Sequence, residues 1–560
     1  MGFHDRTIYQ VYPKSFFDSS GSGVGDLRGV IAKVPYIASL GVDMVWFNPF
    51  LVSPQRDNGY DIADYYAIDP AMGTMADFEE LVAALDAHGI GVMLDMVLNH
   101  TSTQHEWFQR ALAGEREYQD FFYLRPGVPG AVPNGLPNNW VSKFGGPAWA
   151  PFGDTGLYYL HLFDVTQADL NWHNPRVREE MASVVEFWRG KGVRGFRFDV
   201  INLIGKPENL PSAPAGTDDR RMYTDGELVH TYLQELAARS YGQDPESVTV
   251  GEMSSTSIEA CLRYSDPANG ELSMVFNFHH LKVDYAGGEK WSLMRFDFAE
   301  LKRLLMEWAL RMQEGNGWNA LFWNNHDQPR ALDRFGDPVR YREESATMLA
   351  TVIHLLRGTP YVYMGEEIGM TDPEYDVIGD YVDVEAINAH AALVASGMTD
   401  EDAFAIVHTK ARDNARTPMQ WTAEEHAGFS TATPWLRPTN HDRINVADEE
   451  ANGRILPYYR QLIRLRKASP LIAEGTVEPY APDHPSVLAY LRRLGDEQLL
   501  VLANFYGEQT SVEIPDAFAG AGVLIANYPS TPSPSSPQVT LRPYEALALR
   551  IPSPSQGELS

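Results

Sequence analysis

The chain has 560 residues, of which 44% are hydrophobic, and its 75 acidic and 45 basic residues give a formal net charge of −30. That balance argues against nucleic acid and anionic membranes as partners, because both repel an acidic surface. The single cysteine, Cys261, excludes an intramolecular disulfide, no apolar run reaches the roughly 18 residues of a membrane span, and the opening MGFHDRTIYQ lacks an apolar signal core. We therefore expect a cytoplasmic protein.

Eight short β-branched or aromatic runs follow one another along the chain. They are TIYQVYP (7–13), VDMVWFNP (42–49), GVMLDMVLNH (91–100), VRGFRFDV (193–200), VTVGEM (248–253), LSMVFNF (272–278), NALFWNNHD (319–327) and TPYVYMGEE (359–367). Helical patterns separate them, for example at residues 75–89 and 174–192, the second with Pro175 near its start and Gly192 at its end. Strands alternating with helices indicate an α/β fold with a parallel sheet, and nearly continuous apolar strands are typical of a sheet buried on both faces.

Polar residues collect at the carboxyl ends of these predicted strands. A (β/α)8 barrel builds its active site at that end. A doubly wound sheet also binds ligands there, so this pattern alone does not distinguish the two folds. The number of strands and the chain length favour the (β/α)8 TIM barrel.

Two segments interrupt the alternation of strands and helices. Residues 101–171 are rich in Gly, Pro and aromatic residues, as in PGVPGAVPNGLPNNW (126–140), and show little helical period, so we expect a loop-rich domain inserted after the third strand. Residues 469–560 change to short strands: SVLAYLRRL, QLLVLANFY, TSVEIP and EALALRI. They predict a C-terminal antiparallel β-domain, which leaves residues 1–100 and 172–468 for the catalytic barrel.

Titratable side chains stand at several of the predicted strand ends. In GFRFDV, Arg197 and Asp199 point to the same face of the strand, and the arginine favours the ionised carboxylate. The others are His100, Glu252, His326 and Asp327. Glycoside cleavage needs a nucleophilic carboxylate and a protonated carboxylic acid. Acids that lie close together have different pKa values, so one can stay protonated while another is ionised. The set therefore predicts a glycosidase site rather than a structural network of ion pairs.

A small basic cluster stands out in this acidic chain, in FNFHHLKVDYAGGEKW (276–291). If LSMVFNF is the sixth strand, His279, Lys282 and Lys290 fall in the loop after it, and loops after barrel strands face the active site. Such a patch would admit a dianion, and lysine binds phosphate as a point charge. Charge alone leaves open a solvated loop whose lysines pair with Asp284 and Glu289.

Four segments together resemble the α-amylase family of glycoside hydrolases over almost the full length. They are DMVLNH (95–100), GFRFDVIN (195–202), GEMSS (251–255) and NNHDQPR (324–330). The resemblance implies that Asp199 is the nucleophile, Glu252 the acid/base and Asp327 the residue that stabilises the transition state. It implies that the sugar in the cleavage subsite is bound by Arg197, His100 and His326.

Further motifs place the chain within that family. Asp61 in NGYDIADYY and Arg416 in ARDNARTPMQW match the pair that grips the non-reducing end of the sugar, which implies an exo-acting enzyme. QADLNW (167–172) and Val200 are similar to the oligo-1,6-glucosidase branch. The family's retaining double displacement predicts that the carboxyl groups of Asp199 and Glu252 lie about 5–5.5 Å apart.

The segments from GEMSSTSIEACLRYS (251–265) through HHLKVDY and GEKW to FWNNHDQPRALDRFGD (322–337) are similar to trehalose-6-phosphate hydrolases. That resemblance implies cleavage of α,α-trehalose 6-phosphate to glucose and glucose 6-phosphate, with the phosphate on His279, Lys282 and Lys290. His280 stays open as a substitute for His279. The expected partner is therefore a small phosphorylated disaccharide, with no nucleic acid and no membrane.

The loop DSSGSGVGD (18–26) follows the first strand. Relatives of this branch bind calcium with a D-x-N-x-D-x-I-x-D loop, of which Asp18, Val24 and Asp26 remain here while Ser20 and Ser22 replace the middle ligands. Two oxygen ligands are lost, one of them charged, and a hard cation needs several oxygens with enough negative charge, so we expect no metal and no other cofactor.

Two other functions compete with this hypothesis. An oligo-1,6-glucosidase acting on isomaltose-type ends shares the catalytic residues but gives the basic cluster no role. A barrel that has lost catalysis and serves in binding or assembly is disfavoured by the intact Asp199, Glu252 and Asp327. The acidic, partly helical segment 371–409 is expected to lie over the site, in the loop after strand eight.

Overall fold

The computed structural model describes residues 2–128, 130 and 135–553. Eight strands form one parallel sheet in the order β6-β5-β4-β3-β2-β1-β8-β7. They are β1 (Ile8–Val11), β2 (Met44–Phe47), β3 (Gly91–Met96), β4 (Gly195–Phe198), β5 (Val248–Glu252), β6 (Met274–Phe276), β7 (Ala320–Leu321) and β8 (Thr359–Tyr363). A parallel bridge between Val275 and Asn319 joins β6 to the start of β7 and closes the ring. The predicted (β/α)8 barrel is confirmed, with each strand inside its predicted run.

The strands are short and fully buried because their inner faces fill the barrel and their outer faces meet helices. In β4, all four residues are buried, and Phe196 and Phe198 lie on the face opposite Arg197. The α-helices are Leu27–Ala32, Val34–Leu40, Met75–Asp86, Glu106–Leu112, Arg116–Gln119, Pro175–Gly190, Leu228–Arg239, Ile258–Ser265, Phe298–Glu314, Ala331–Phe335, Arg342–Leu355, Val384–Ala395, Asp400–Lys410, Asp413–Arg416, Val446–Asn452, Ile455–Ala468 and Pro470–Glu474.

Helix boundaries follow local capping chemistry. Met75–Asp86 begins with a capping box between Thr74 and Asp77, and Pro175–Gly190 begins after the side-chain cap Asn174. Both predicted helices therefore exist, although each ends two or three residues earlier than the sequence pattern indicated.

Residues 101–171 hold a small antiparallel sheet and two short helices, Glu106–Leu112 and Arg116–Gln119, which the sequence pattern did not reveal. The sheet strands are Leu124–Pro126, Trp149–Pro151 and Leu157–Leu160. A pairing of His100–Ser102 with Gln167–Asp169 closes the base of the segment at the end of β3. Part of the predicted loop 126–140, namely residues 129 and 131–134, lies outside the described residues. We retain residues 101–171 as a proposed domain.

The C-terminal part is antiparallel, as predicted. Its five-stranded sheet has the order Thr476–Tyr480, Val487–Leu494, Glu497–Asn504, Ala546–Ile551 and Gly522–Ala526, and Thr510–Glu513 pairs with Gln538–Leu541. Three of these strands were not predicted, and two of the three lie at the edges of the larger sheet, where Pro479 is tolerated and alternation is weak. Residues 554–560 of the proposed domain 469–560 lie outside the described residues.

The segment 371–409 contains the helices Val384–Ala395 and Asp400–Lys410. Its Asp383 and Glu385 contact Arg412, so the segment reaches the mouth of the barrel after β8, as expected. Among the described residues, no helix is both long and apolar enough to cross a membrane.

Candidate active site

One buried arginine organises the acids at the barrel mouth. Arg197 Nη1 lies 2.7 Å from Asp95 Oδ1 and 2.6 Å from Asp199 Oδ1, and its Nη2 donates to Glu252. These contacts follow from the parallel register, because Arg197 of β4 stands beside Asp95 of β3 and Val250 of β5. The predicted convergence of Arg197, Asp199 and Glu252 is therefore found in the structure.

The chain turns sharply directly after Asp199. Val200 has φ 36° and ψ 40°, a left-handed conformation that a β-branched residue rarely adopts, and its N–H donates to Glu252 at 3.3 Å. Strained backbone of this kind persists only where surrounding contacts fix it, and it concentrates at functional sites. The turn lifts the Asp199 carboxylate out of the strand and towards Glu252.

Burial and mutual repulsion separate the protonation states of the acids. Burial raises the pKa of Glu252 to about 7. Arg197 opposes this rise, while Asp199 and Asp327 add to it. Burial also raises the pKa of Asp199, to about 6, while Arg197 opposes the rise. Burial and the neighbouring carboxylates therefore favour the protonated form of Glu252 more than that of Asp199.

Arg197 holds the carboxyl groups of Asp199 and Glu252 side by side, because one of its terminal nitrogens contacts Asp199 and the other donates to Glu252. The separation of about 5–5.5 Å expected of a retaining pair stays a prediction.

Asp327 carries a firmly ionised carboxylate. Burial alone would raise its pKa, but His326, Arg412 and Arg416 together hold that pKa well below the usual range. Arg416 Nη2 lies 2.6 Å from Asp327 Oδ1, and Arg412 Nη1 lies 3.5 Å from the same oxygen. Asp327 can therefore accept hydrogen bonds from sugar hydroxyls throughout the neutral pH range. We refer to Asp199, Glu252 and Asp327 as the acid cluster.

The two predicted histidines lie beside the acid cluster and are buried. His326 Nε2 is 2.7 Å from the Tyr60 hydroxyl and 3.1 Å from Asp327 Oδ2. His100 Nε2 is 3.3 Å from Gln167 Nε2. Burial lowers the pKa of His100 to about 4 and also lowers that of His326, so both rings are neutral at pH 7.

The predicted pair of Asp61 and Arg416 does not form. The Asp61 carboxylate accepts from Ser53 Oγ at 2.8 Å and from the backbone N–H of Arg56 at 2.9 Å, so it holds a turn together. Arg416 instead binds Asp327, and its Nε donates to the carbonyl of His326 at 2.8 Å.

A different acid and arginine, close to these two in the sequence, contact each other instead. Arg412 Nη2 lies 3.5 Å from Asp57 Oδ1, and Asp57 Oδ2 accepts from Gln167, the neighbour of His100. Each member lies four residues before the residue predicted from the sequence. Asp383 holds Arg412 in place at 2.6 Å.

A cavity of about 520 Å³ opens directly beside the acid cluster. We call it the mouth cavity; its charged lining residues and histidine are Lys143, Asp218, Asp219, Arg220, Glu252, His279, Lys282 and Asp327. Two of the three predicted phosphate binders, His279 and Lys282, are among them. The sequence analysis missed Lys143 and Arg220, since no periodicity marks the loops that carry them.

The third predicted phosphate binder lies elsewhere. Lys290 is not among the residues that line the mouth cavity, and its Nζ lies 2.8 Å from Glu385 Oε2. Neither predicted alternative partner of the lysines is used, since Asp284 binds Arg334 and Lys410. His280 is buried and hydrogen-bonds the carbonyl of Phe322 at 2.9 Å, which leaves His279 as the histidine at the cavity.

The loop at residues 18–26 is held by its own hydrogen bonds. Asp18 accepts from the backbone N–H groups of Ser20, at 2.9 Å, and Gly23, at 2.7 Å. Asp26 accepts from Ser19 and caps the helix Leu27–Ala32 through Gly29 N–H. These donors occupy the carboxylate oxygens that a cation would need.

Comparisons with known proteins agree with this geometry. A family model described as alpha amylase, catalytic domain, matches residues 10–475, and one described as alpha-amylase SusG C-terminal domain matches residues 487–547. Trehalose-6-phosphate hydrolase of Bacillus subtilis (strain 168) is 49% identical over 555 residues, covering 98% of each chain. Oligo-1,6-glucosidase of Parageobacillus thermoglucosidasius is 43% identical over 559 residues, also covering 98% of each chain.

Among solved structures, the crystal structure of Bacillus licheniformis trehalose-6-phosphate hydrolase matches with a TM-score of 0.93 and 48% identity, covering 98% of this chain and 99% of that chain. The sequence motifs, the closed barrel and these full-length matches lead to the same conclusion. The chain belongs to the alpha-amylase family of glycoside hydrolases.

Proposed function

We propose that this enzyme hydrolyses α,α-trehalose 6-phosphate to glucose and glucose 6-phosphate, acting at the chain end with retention of configuration. The observation that carries the proposal is the mouth cavity, which places the cations Lys143, Arg220 and Lys282 beside Glu252 in a chain with a net charge of −30. Local positive charge at this one position suits a phosphorylated leaving group. The relative at 49% identity carries the name of that activity.

In the first step, the Asp199 carboxylate attacks the anomeric carbon of the glucose unit. The C1–O bond breaks as Glu252 donates its proton to the departing oxygen, which leaves on glucose 6-phosphate. A pKa of Glu252 of about 7 allows it to be protonated at the start of this step. Arg197 contacts both acids and so helps to keep Asp199 ionised.

In the second step, water replaces the leaving sugar beside Glu252. Glu252 is now ionised and removes a proton from that water, whose oxygen attacks the anomeric carbon and releases Asp199. Two inversions at one carbon give retention.

The remaining side chains of the site would bind the glucose unit. Asp327, held ionised by Arg416 and His326, is suited to accept from two ring hydroxyls and to stabilise positive charge in the oxocarbenium-like transition state. The neutral rings of His100 and His326 would donate to hydroxyls of the same sugar.

Exo action follows from the closed end of the cleavage subsite. The pair of Asp57 and Arg412, backed by Asp383, stands across the side of the site near His100 and Gln167. Charged groups there would bind the terminal hydroxyls of a non-reducing glucose and leave no path for a longer chain. We therefore assign the binding of the non-reducing end to Asp57 and Arg412 and no longer to Asp61 and Arg416.

We place the phosphate on His279 and Lys282 in the mouth cavity. Burial lowers the pKa of His279 to about 4, so this ring would act as a neutral hydrogen-bond donor while Lys282 supplies charge. Cys261 is the only cysteine and is buried and unpaired, and sugar phosphates are substrates of the cell interior, so we infer a cytoplasmic enzyme that acts on a small molecule.

The deciding experiment compares kcat/KM for trehalose 6-phosphate, trehalose and isomaltose. We expect the phosphorylated sugar to be preferred, and Lys282→Ala to lower kcat/KM for it by about 10- to 100-fold, since a hydrogen bond to a charged group contributes about 1.5–3 kcal/mol. An uncharged aryl α-glucoside should be hydrolysed nearly as before.

A matched control is Lys467→Ala. Lys467 pairs with Asp43 just before β2, at the opposite end of the barrel, and should leave both activities unchanged. Equal losses on both substrates in Lys282→Ala would remove the phosphate assignment, and a preference for isomaltose in the unaltered enzyme would favour an oligo-1,6-glucosidase instead.

A further inference from the structure

We propose that Lys143, which the inserted segment carries, is a specificity-determining residue that binds the phosphate of the leaving sugar from the wall of the mouth cavity, together with Arg220 and Lys282. This inference rests on the proposed function. Lys143 would act together with the cation that the loop after β6 supplies, although it comes from a different part of the chain. The phosphate would then be bound between the inserted segment and the barrel.

The backbone around Lys143 is fixed from two directions. Lys143 N–H donates to the carbonyl of Leu162 at 2.8 Å, and Ser142 Oγ donates to the carbonyl of Phe163 at 2.7 Å. On the other side, Val141 N–H donates to Asp219 Oδ2 at 2.7 Å, in the loop after β4. The side chain therefore extends into the mouth cavity from an anchored position.

The amine of Lys143 lies close to the chemistry. Its Nζ donates to Ser254 Oγ at 2.7 Å, and Ser254 is two residues after Glu252 on the same strand end. The rings of Phe163 and Tyr223 lie 5.8 Å from Nζ and cover its stem. A phosphate bound here would belong to the sugar that leaves from Glu252.

Three cations repel one another in this cavity. Burial lowers the pKa of Lys143 to about 8, and Arg220 and Lys282 both push that pKa further down, although Glu252 and Asp219 oppose them. Burial and then Arg220 likewise lower the pKa of Lys282. The protein holds these charges together at an energetic cost that an anionic ligand would remove.

None of the described acids that line the same cavity forms a salt bridge with Lys143 or Lys282, although Glu252 and Asp219 favour the charged form of Lys143. Asp218 pairs with Arg220 at 2.8 Å, and Glu252 and Asp327 are bound by arginines on the barrel side. In the described part of the chain, no salt bridge reaches Lys143 or Lys282. Their charge is therefore left for a ligand, and a phosphate dianion matches its sign and number.

The test replaces Lys143 by methionine, which keeps the length and apolar stem, and by arginine, which keeps the charge. We expect Lys143→Met to lower kcat/KM for trehalose 6-phosphate by about 10- to 100-fold and to leave an aryl α-glucoside within about twofold. Lys143→Arg should retain most of the activity on the phosphorylated sugar. Retained aryl-glucosidase activity shows that each variant is folded.

The control is Lys467→Met, at the far end of the barrel, which should change neither activity. Equal losses on both substrates in Lys143→Met, or no loss on either, would overturn the assignment of Lys143. If instead the unaltered enzyme shows no preference for the phosphorylated sugar, the proposed function itself fails, so the two failures are distinguishable.

A second readout uses the unaltered enzyme. Lys143 is charged below a pKa of about 8 and loses its proton above it, so the ratio of kcat/KM for trehalose 6-phosphate to that for trehalose should fall between pH 8 and 10. Both substrates need the proton of Glu252 for the departing sugar, so the ratio cancels the titration of the acid cluster. The fall should be smaller in Lys143→Arg, and an unchanged ratio in the unaltered enzyme would contradict the proposal.

Discussion

The acid cluster and the mouth cavity are neighbours with opposite electrostatic designs. At the acid cluster every charge has a partner: Arg197 holds Asp199 and Glu252, and Arg416 holds Asp327. In the mouth cavity, Lys143 and Lys282 have no carboxylate partner among the described residues. The first site is complete without substrate, while the second has charge that only a ligand can neutralise.

This difference suggests how the enzyme separates chemistry from specificity. Paired charges fix the positions of the catalytic groups in advance, so little reorganisation is needed when the glucose unit binds. We expect the unpaired lysines to favour a small dianion and to contribute less to the binding of a neutral ligand. Changes in the acid cluster should therefore affect all α-glucosides, and changes in the mouth cavity should affect phosphorylated ones.

The largest expected effect comes from Glu252→Gln. General acid catalysis contributes about 10²- to 10⁴-fold, so kcat/KM for the phosphorylated sugar, which reports the first step, should fall by that factor. A 4-nitrophenyl α-glucoside should lose less, because a nitrophenolate leaves without a proton. Steady-state kinetics on both substrates measures this, and an equal loss of less than tenfold would contradict the role of Glu252.

An intermediate effect is expected from pH. Asp199 must be ionised and Glu252 protonated, and burial raises their pKa values to about 6 and about 7. The kcat/KM for trehalose, whose departing sugar oxygen needs the proton of Glu252, should therefore fall below about pH 6 and above about pH 7, about tenfold per pH unit on each side. The two limits belong to the coupled pair rather than to either residue alone.

The variant Asp327→Asn tests the assignment of this pH profile. The substitution removes a negative charge that raises the pKa of Glu252, so the fall of kcat/KM at high pH should begin at a lower pH. A fall that does not move would show that another group limits activity at high pH.

The sequence predicted the barrel well because its signals are strong and local. Each of the eight strands lies inside a predicted apolar run, and strand alternation alone placed Arg197 and Asp199 on one face. Because neighbouring strands are parallel, their carboxyl ends meet at one end of the barrel, and this can be predicted without predicting the loops. The same logic failed in residues 101–171, where two helices are too short to show a period.

Side-chain direction in turns could not be predicted. Asp57 and Asp61 are both acids of one irregular segment, and Arg412 directly precedes the short helix Asp413–Arg416, which Arg416 ends. Only the structure shows that Asp61 caps backbone N–H groups while Asp57 faces Arg412. Lys143 was missed for a similar reason, since a lone lysine in a Gly-rich loop carries no periodic signal.

The smallest expected effect concerns Lys290, which the sequence analysis assigned to phosphate. Lys290 binds Glu385, whose Oε2 lies 3.3 Å from Arg412 Nε, and Arg412 reaches both Asp57 and Asp327. We therefore expect Lys290 to help position Arg412 beside the acid cluster, and a partly exposed ion pair contributes about 0.2–1 kcal/mol. Lys290→Ala should therefore lower kcat/KM by about two- to fivefold at most, and equally for trehalose 6-phosphate and an aryl α-glucoside. Lys290→Arg should restore both activities, because it keeps the charge that faces Glu385. A loss confined to the phosphorylated substrate would instead indicate that Lys290 binds the phosphate. It would also contradict the proposed separation of roles between the acid cluster and the mouth cavity.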